Sequence, residues 1–318
     1  MKNNEVIVSV CMITYNHEKY ISEAIDGVLM QKTNFPIELI IGEDCSTDNT
    51  RKIVLEYTEK SPNIIRPLLP ESNLGMTKNF IETMQAASGK YIALCEGDDY
   101  WTDPYKLQKQ VDFLEENQKY SVCCHRYSII KINSKETPDH LDEFFIDSPN
   151  GFEYDLQQIM KYGILKTLTV VFRKDMIDIS TLNRYKFARD VHLQYHLLNL
   201  NRKGYCLNFF GGIYNDHAGG VYSSTNTFVK HKLAYEIFRE LALLNSRDII
   251  VANMYSQVKK NLLIYFRRTI RHREQKMPSF YKDLILFVWN EFNENGLRST
   301  IMVVSDIIKS TIKSFFHE

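Results

Sequence analysis

The feature that most constrains this chain is a set of short β-branched and aliphatic runs, each ending in a polar or acidic loop. Residues 6–13 (Val-Ile-Val-Ser-Val-Cys-Met-Ile), 37–42 and 91–95 are apolar almost throughout, which is how strands buried on both faces read. Between them the spacing turns helical: Ile21, Ala24, Ile25, Val28 and Leu29 share one face, and Ile53, Val54 and Tyr57 another. Asp48 is placed to cap the second of these helices, and Ile64-Ile65 opens a further strand. Residues 79–87 read as one more helix, ended by Gly89. A β-α-β-α-β order predicts an α/β fold whose sheet is mostly parallel and Rossmann-like, with helices on its faces. Such sheets bind ligands beyond the carboxyl ends of their strands. The loops at 14–18, 43–48 and 96–99 all lie there.

Asp103-Pro104 starts the next helix, with Asp as cap and Pro in the first turn. Residues 122–171 are mixed, with turn signals at Ser148-Pro149-Asn150-Gly151, and residues 168–172 read as a strand. Beyond Phe228 the character changes. Leu233, Ile237, Leu241 and Leu244 mark a long amphipathic helix, and the rest stays helical. We therefore expect an α/β domain over residues 1–227, with halves at about 1–120 and 121–227, and a helical region over 228–318. Lys plus Arg and Asp plus Glu both number 39, so the net charge is zero, which argues against a nucleic-acid binder. None of the six cysteines forms a C-x-x-C pair, and several sit in apolar runs, as reduced core thiols do. The N-terminus lacks a signal-peptide pattern and no apolar run approaches the roughly 20 residues of a membrane span, so the expected compartment is the cytosol.

Glu96-Gly97-Asp98-Asp99 places three carboxylates in four residues at the end of a buried strand. They repel one another unless something compensates, and a hard divalent cation such as Mg²⁺ or Mn²⁺ prefers oxygen ligands of this kind. The competing reading is an acidic loop that caps the following helix, for which Asp103 is already better placed. Asp44 ends another strand in the same sense; its carboxylate either accepts hydrogen bonds from a ligand or builds an Asx-type turn. Thr14-Tyr15-Asn16 follows the same logic. There is no G-x-G-x-x-G after the first strand, which argues against the dinucleotide-binding fingerprint, and no P-loop is present.

Four segments together resemble the family 2 inverting glycosyltransferases with the GT-A fold: residues 10–16 (Val-Cys-Met-Ile-Thr-Tyr-Asn), 43–48 (Glu-Asp-Cys-Ser-Thr-Asp), 73–79 (Asn-Leu-Gly-Met-Thr-Lys-Asn) and 96–101 (Glu-Gly-Asp-Asp-Tyr-Trp). Residues 187–191 and 214–223 look like later segments of the same family, so the resemblance spans about residues 6–225. It implies a GT-A-like catalytic domain that moves a sugar from a nucleotide-sugar donor, a UDP-sugar first among them. The acceptor would be a carbohydrate or a lipid-linked sugar, in surface polysaccharide biosynthesis. Residue by residue, Thr14 and Tyr15 would line the nucleotide pocket with Asn16, Glu18, Asn73, Gly75 and Lys78, and Asp44 would read the base. Glu96-Gly97-Asp98 stands where the family has Asp-x-Asp. Asp98 would be the main ligand of Mn²⁺ or Mg²⁺, Asp99 and Trp101 would lie toward the sugar, and His217 would reach the metal or diphosphate. Asp190 would be the base; the family commonly has Glu-Asp there, where this chain has Arg189-Asp190.

The chemistry suits these residue types. Direct displacement needs one base and charge stabilisation on the leaving diphosphate, and no enzyme nucleophile. A nucleotidyltransferase and a non-catalytic nucleotide-sugar binder are the alternatives; the first usually shows a basic Gly-rich phosphate loop, which is absent. For the C-terminal helices two readings stand. The basic residues Lys259, Lys260, Arg267, Arg268, Arg271 and Arg273, and the apolar periodicity Ile301, Val304, Ile308, Ile312 and Phe315, suit packing on the catalytic domain or in a homodimer. Packing is the favoured reading, and peripheral contact with an anionic membrane is the alternative.

Overall fold

The computed structural model describes residues 5–131, 134–217, 219–220, 227–271 and 280–315, and in the last two helices the side chains up to 269 and from 282 to 309. Ala218, Val221, Tyr222 and Ser223 of the later motif, Arg273, and the side chains of Arg271, Ile312 and Phe315 lie outside the described residues. Two compact units result, Met1–Ser224 and Thr225–Glu318.

The first unit alternates as its hydrophobic pattern predicts: β1 (Val8–Thr14), α1 (Ile21–Leu29), β2 (Ile37–Glu43), α2 (Thr50–Lys60), β3 (Ile65–Leu68), α3 (Met76–Gln85) and β4 (Tyr91–Leu94). These four strands pair in parallel in the order β3-β2-β1-β4. Val8, Val10, Met12, Leu39, Ile41 and Ala93 are buried, and Ile21, Ala24, Ile25 and Val28 of α1 pack on them, which accounts for the near-continuous apolar strands.

The second half of this unit departs from a parallel sheet. It holds β5 (Tyr100–Trp101), α4 (Lys106–Glu116), β6 (Tyr120–Lys131), β7 (Thr137–Pro138), β8 (Gly151–Tyr154), α5 (Leu156–Tyr162), β9 (Val171–Arg173), α6 (Asp190–Leu198) and β10 (Lys203–Asp216). The sheet continues β4-β9-β6-β10-β5. β9 runs antiparallel to both neighbours, while β6 and β10 are parallel. The fold is therefore mixed α/β. The run at 168–172 is also not one strand: a 3₁₀ turn over Thr167–Thr169 precedes β9. The Leu168 carbonyl accepts the Trp101 indole N–H at 2.8 Å and the Thr169 carbonyl accepts Gln110 Nε2 at 2.9 Å. With those carbonyls committed to distant side chains, the ladder begins only at Val171.

The second unit consists of α7 (Thr227–Leu244), α8 (Ile249–Arg271) and α9 (Phe280–Phe315), the last broken at Gly296, where φ is 76°. Phe228, Tyr235, Leu262, Phe266 and Phe287 form its core. Among the described residues no helix is long and apolar enough to cross a membrane.

Candidate active site

The register of β1 with β2 and β4 places the three loops side by side. Thr14 is opposite Glu43 and Cys11 opposite Leu94. Beyond the strands the Asp44 N–H donates to the Thr14 carbonyl at 3.0 Å and the Gly97 N–H to the Ile13 carbonyl at 2.9 Å. Gly97 is required by space: a Cβ there would lie 2.6 Å from Thr14 Oγ1 and 2.7 Å from Thr14 Cβ. This close packing presents Glu96, Asp98 and Asp99 together, with one oxygen of each within 4.8 Å of the others.

Residues from far along the chain hold the cluster. The Asn215 N–H donates to Asp99 Oδ1 at 2.9 Å and its side-chain amide to the Asp98 carbonyl at 2.6 Å. His217 accepts from the Gly219 N–H through Nδ1 at 3.2 Å, which leaves Nε2 to carry the proton. That nitrogen donates to Asp98 Oδ2 at 3.1 Å. His17 Nε2 lies 3.7 Å from the same oxygen, and Tyr20 packs on the His217 ring with centroids 4.4 Å apart. The sequence assigns no role to His17, Tyr20 or Asn215, although His17 falls in the 14–18 loop and Asn215 in the 214–223 segment.

Burial, then the charges of Asp98 and Asp190, push the Glu96 carboxyl up to about 8, with Lys166 and Arg189 pulling it back. Burial, then Asp98 and Glu96, raises Asp99 well above the carboxylate range. Burial acts the same way on Asp98 but is outweighed by the His217 hydrogen bond and the His17 and His217 rings, so this carboxyl lies below its ordinary value. Only one of the three is thus readily ionised by the protein's own groups. Clustered oxygen donors whose like charges lack a full set of protein counter-charges fit a hard divalent cation, Mg²⁺ or Mn²⁺.

The residues expected from the resemblance to line the nucleotide pocket are in part tied together by hydrogen bonds. Thr14 is buried, and its Oγ1 has no hydrogen-bond partner among the described residues. Tyr15 leaves 43% of its surface exposed beside it. Asn16 takes a positive φ of 58° and bonds Ser46 Oγ and the Thr47 N–H. Glu18 accepts the backbone and side-chain amides of Asn49. Asp44 uses both carboxylate oxygens on the loop before α3, accepting the Leu74 N–H at 2.6 Å and the Gly75 N–H at 3.0 Å. Asn73 returns a bond to the Asp44 carbonyl, and Gly75 has φ 81°, which its residue type permits. Lys78 faces solvent, paired with Glu82 one turn on. Trp101 is 2% exposed, with its ring in the core and its N–H on Leu168, so it braces the acidic loop from beneath with no face toward a ligand.

On the far side, Asp190 is the first residue of α6, and its charge is among those that raise Glu96. The preceding Ala188 carbonyl accepts Thr77 Oγ1 of α3 at 3.3 Å, which ties the start of α6 to the first turn of α3, just past Gly75. Lys166, also not singled out in the sequence, stands 4.6 Å over the Tyr214 ring.

Comparison with known proteins agrees with this geometry. An uncharacterized Mycobacterium tuberculosis protein is 49% identical over 169 residues, 52% of this chain and 47% of that one, so the chain spans about half the length of such curated relatives. TuaG of Bacillus subtilis, named a putative teichuronic acid biosynthesis glycosyltransferase, is 28% identical over 246 residues, 77% of this chain and 92% of TuaG. Among solved structures, residues 1–349 of S. aureus TarS in complex with UDP-GlcNAc align with a TM-score of 0.64 at 19% identity, covering 96% of this chain and 89% of that one, a likeness of fold. The sequence profile of Glycosyl transferase family 2 matches residues 9–179, more than half the chain. Strand order, loop placement and profile agree, and the chain belongs to glycosyl transferase family 2.

Proposed function

We propose that the first unit transfers a sugar from a nucleotide-sugar donor to a hydroxyl of a carbohydrate or lipid-linked acceptor, with inversion at the anomeric carbon and dependence on Mn²⁺ or Mg²⁺. The observation that carries this reading is the braced cluster of Glu96, Asp98 and Asp99 at the end of β4, with Asp190 close enough to act on it electrostatically. The names of relatives supply the setting: TarS was captured with UDP-GlcNAc, which favours a UDP-sugar, and TuaG points to surface polysaccharide.

In this reading Thr14, Tyr15, Asn16 and the loop built on Asp44, Asn73 and Gly75 wall the nucleotide. Asp98 is the principal metal ligand, oriented by His217, whose ring proton points at its carboxylate. A divalent ion held by these carboxylates supplies charge neutralisation for the departing nucleoside diphosphate. Asp190 accepts the proton of the acceptor hydroxyl. The freed oxygen pair attacks the anomeric carbon, and the carbon–oxygen bond to the diphosphate breaks with its electrons going to the phosphate oxygen. Base catalysis of this kind contributes about 10²–10⁴-fold.

The test is nucleoside diphosphate release from a panel of UDP-sugars, with and without acceptor sugars, in Mn²⁺ or in EDTA. Asp98→Ala and EDTA are each expected to abolish turnover. Asp190→Asn is expected to keep donor binding and lose at least about a hundredfold in transfer. Full transfer in chelator refutes the metal-dependent mechanism, and donor binding without any release marks a binder.

A further inference from the structure

The second unit has its polarity arranged in an unusual way. All four acidic residues of α9 between 282 and 309 turn toward cations of α7 and α8. Asp283 meets Lys232 at 2.7 Å, Glu291 meets Lys259 at 3.1 Å, Glu294 meets Arg239, and Asp306 meets Arg267 at 3.7 Å. Glu291 and Asp283 are buried in making these pairs. Large apolar side chains face outward instead. Ile285, Trp289 and Phe292 recur at i, i+4 and i+7, and beyond the break at Gly296 so do Leu297, Ile301 and Ile308 at helical intervals; all six are exposed. Among the described side chains of α9, the exposed cations are Lys282, Arg298 and Lys309, none with an acidic partner among the described residues, while the half-exposed Asp306 is taken by Arg267. An exposed apolar face of this extent marks an interaction surface.

We infer that the outer face of α9 lies on an anionic lipid bilayer, with its aliphatic and tryptophan side chains in the interface and Lys282, Arg298 and Lys309 on lipid phosphates. Charge complementarity selects this occupant over a second copy of the chain. A two-fold dimer through this face is self-complementary by construction, so it sets the same three cations against themselves, and the one half-exposed acid among the described side chains of α9, Asp306, is already held by Arg267. A leaflet containing phosphatidylglycerol supplies the missing anions, and the helix lies along the surface because it is too polar to cross. The inference does not depend on the reaction proposed above and is read by partition, not turnover.

The experiment is co-sedimentation of the full chain with vesicles of phosphatidylcholine alone and of phosphatidylcholine mixed with phosphatidylglycerol, at low salt, with tryptophan emission recorded in parallel. Binding is expected to the anionic vesicles only, with a blue shift. Trp289→Phe should abolish that shift without abolishing binding, because the other tryptophan, Trp101, is already buried. Replacing Lys282, Arg298 and Lys309 together by Gln should lower partition about a hundredfold, at a factor of about five per cation. Trp289→Ser with Ile301→Ser should lower it at least as far, and because these side chains are exposed, neither variant should shift the thermal melt. The inference is overturned if the wild-type chain ignores anionic vesicles, or if both variants bind as it does. It is also overturned if sedimentation shows a dimer that the serine variant disperses, since the face then belongs to a second copy.

Discussion

Lys106 is a lysine whose charge is not met by the protein. It lies fully buried in the first turn of α4, Nζ has no hydrogen-bond partner among the described residues, and the nearest favourable group is the Trp101 ring, 3.8 Å from Nζ to centroid. Burial lowers its ammonium from 10.5 to about 7, and the nearby Cys95 and Cys123 offset this only in part. At about 1.4 kcal/mol per unit, holding the charged form inside costs up to about 5 kcal/mol, and at pH 8, where the buried amine is neutral, about 3 kcal/mol goes into removing its proton. The sign follows from proton counts. Between pH 7 and 10.5 the unfolded chain holds a proton that the folded chain has released, so this group makes stability rise with pH across that window, and below pH 7 the full penalty applies. Lys106→Met removes the charge with a side chain one atom shorter, at the loss of a cation–π contact worth about 2 kcal/mol. The variant should be more stable by roughly 1–3 kcal/mol at pH 7. That advantage should shrink by about 1.4 kcal/mol per pH unit above 7 and be gone before pH 10. Urea unfolding followed by circular dichroism at pH 7, 8 and 9 measures both proteins. A variant less stable at every pH, or a gap that stays constant with pH, refutes the reasoning and requires an ordered partner that keeps the lysine charged.

Three further outcomes follow from packing and charge. Gly97→Ala puts a Cβ 2.6 Å from Thr14 Oγ1 and should destabilise by about 1–3 kcal/mol in thermal unfolding while displacing the acidic loop; an unperturbed melt with full transfer refutes this placement. His217→Ala removes the proton donor to Asp98 and should weaken retention of Mn²⁺ about 10–100-fold by calorimetry, whereas unchanged affinity leaves the imidazole without a positioning role. Asp139→Ala strips the buried Arg126 guanidinium of its main partner, 2.8 Å away, and should cost about 3–5 kcal/mol; a loss under 1 kcal/mol means that Asp142 suffices.

What was legible in the sequence is what local chemistry encodes. β1, β2 and β4 announce themselves because both faces are buried, and polar loops at their carboxyl ends announce a crevice. The three acids at 96–99 are readable as a cluster because they are neighbours in the chain. What was not legible depends on partners far away. Nothing around Leu168 indicates that its carbonyl will be taken by an indole 67 residues earlier, so the run was read as one strand. β10 hides its importance: it is irregular, with register shifts around Phe210, and only its pairing with β6 and β5 brings Asn215 to the acidic loop. His17 sits in a polar loop with no periodicity, and its nearness to Asp98 appears only once β1 and β4 are adjacent. Trp101 was placed toward the sugar by its position after the acidic residues, but a two-residue strand turns it inward.

The same long-range ties bear on how the site works as a unit. The loops proposed to wall the nucleotide are anchored to α3 through Asp44 and Gly75, and Asp190 follows an Ala188 carbonyl held by Thr77, also in the first turn of α3. The acidic loop is anchored at the other end of the site, through Asn215 and His217 at the end of β10. Two supports, each from a single element, therefore set the distance between the proposed base and the proposed metal ligands. A single displacement is sensitive to that distance, because bond making and bond breaking occur on opposite sides of one carbon. Thr77→Val keeps the volume and deletes the hydrogen bond, leaving every group that would touch substrate intact. If α3 sets the geometry, this variant loses transfer to the acceptor while donor affinity holds, since Asp44 and Gly75 are undisturbed. Equal losses in both would mean instead that α3 has shifted as a whole, and transfer at the wild-type rate would show that α6 is positioned without it.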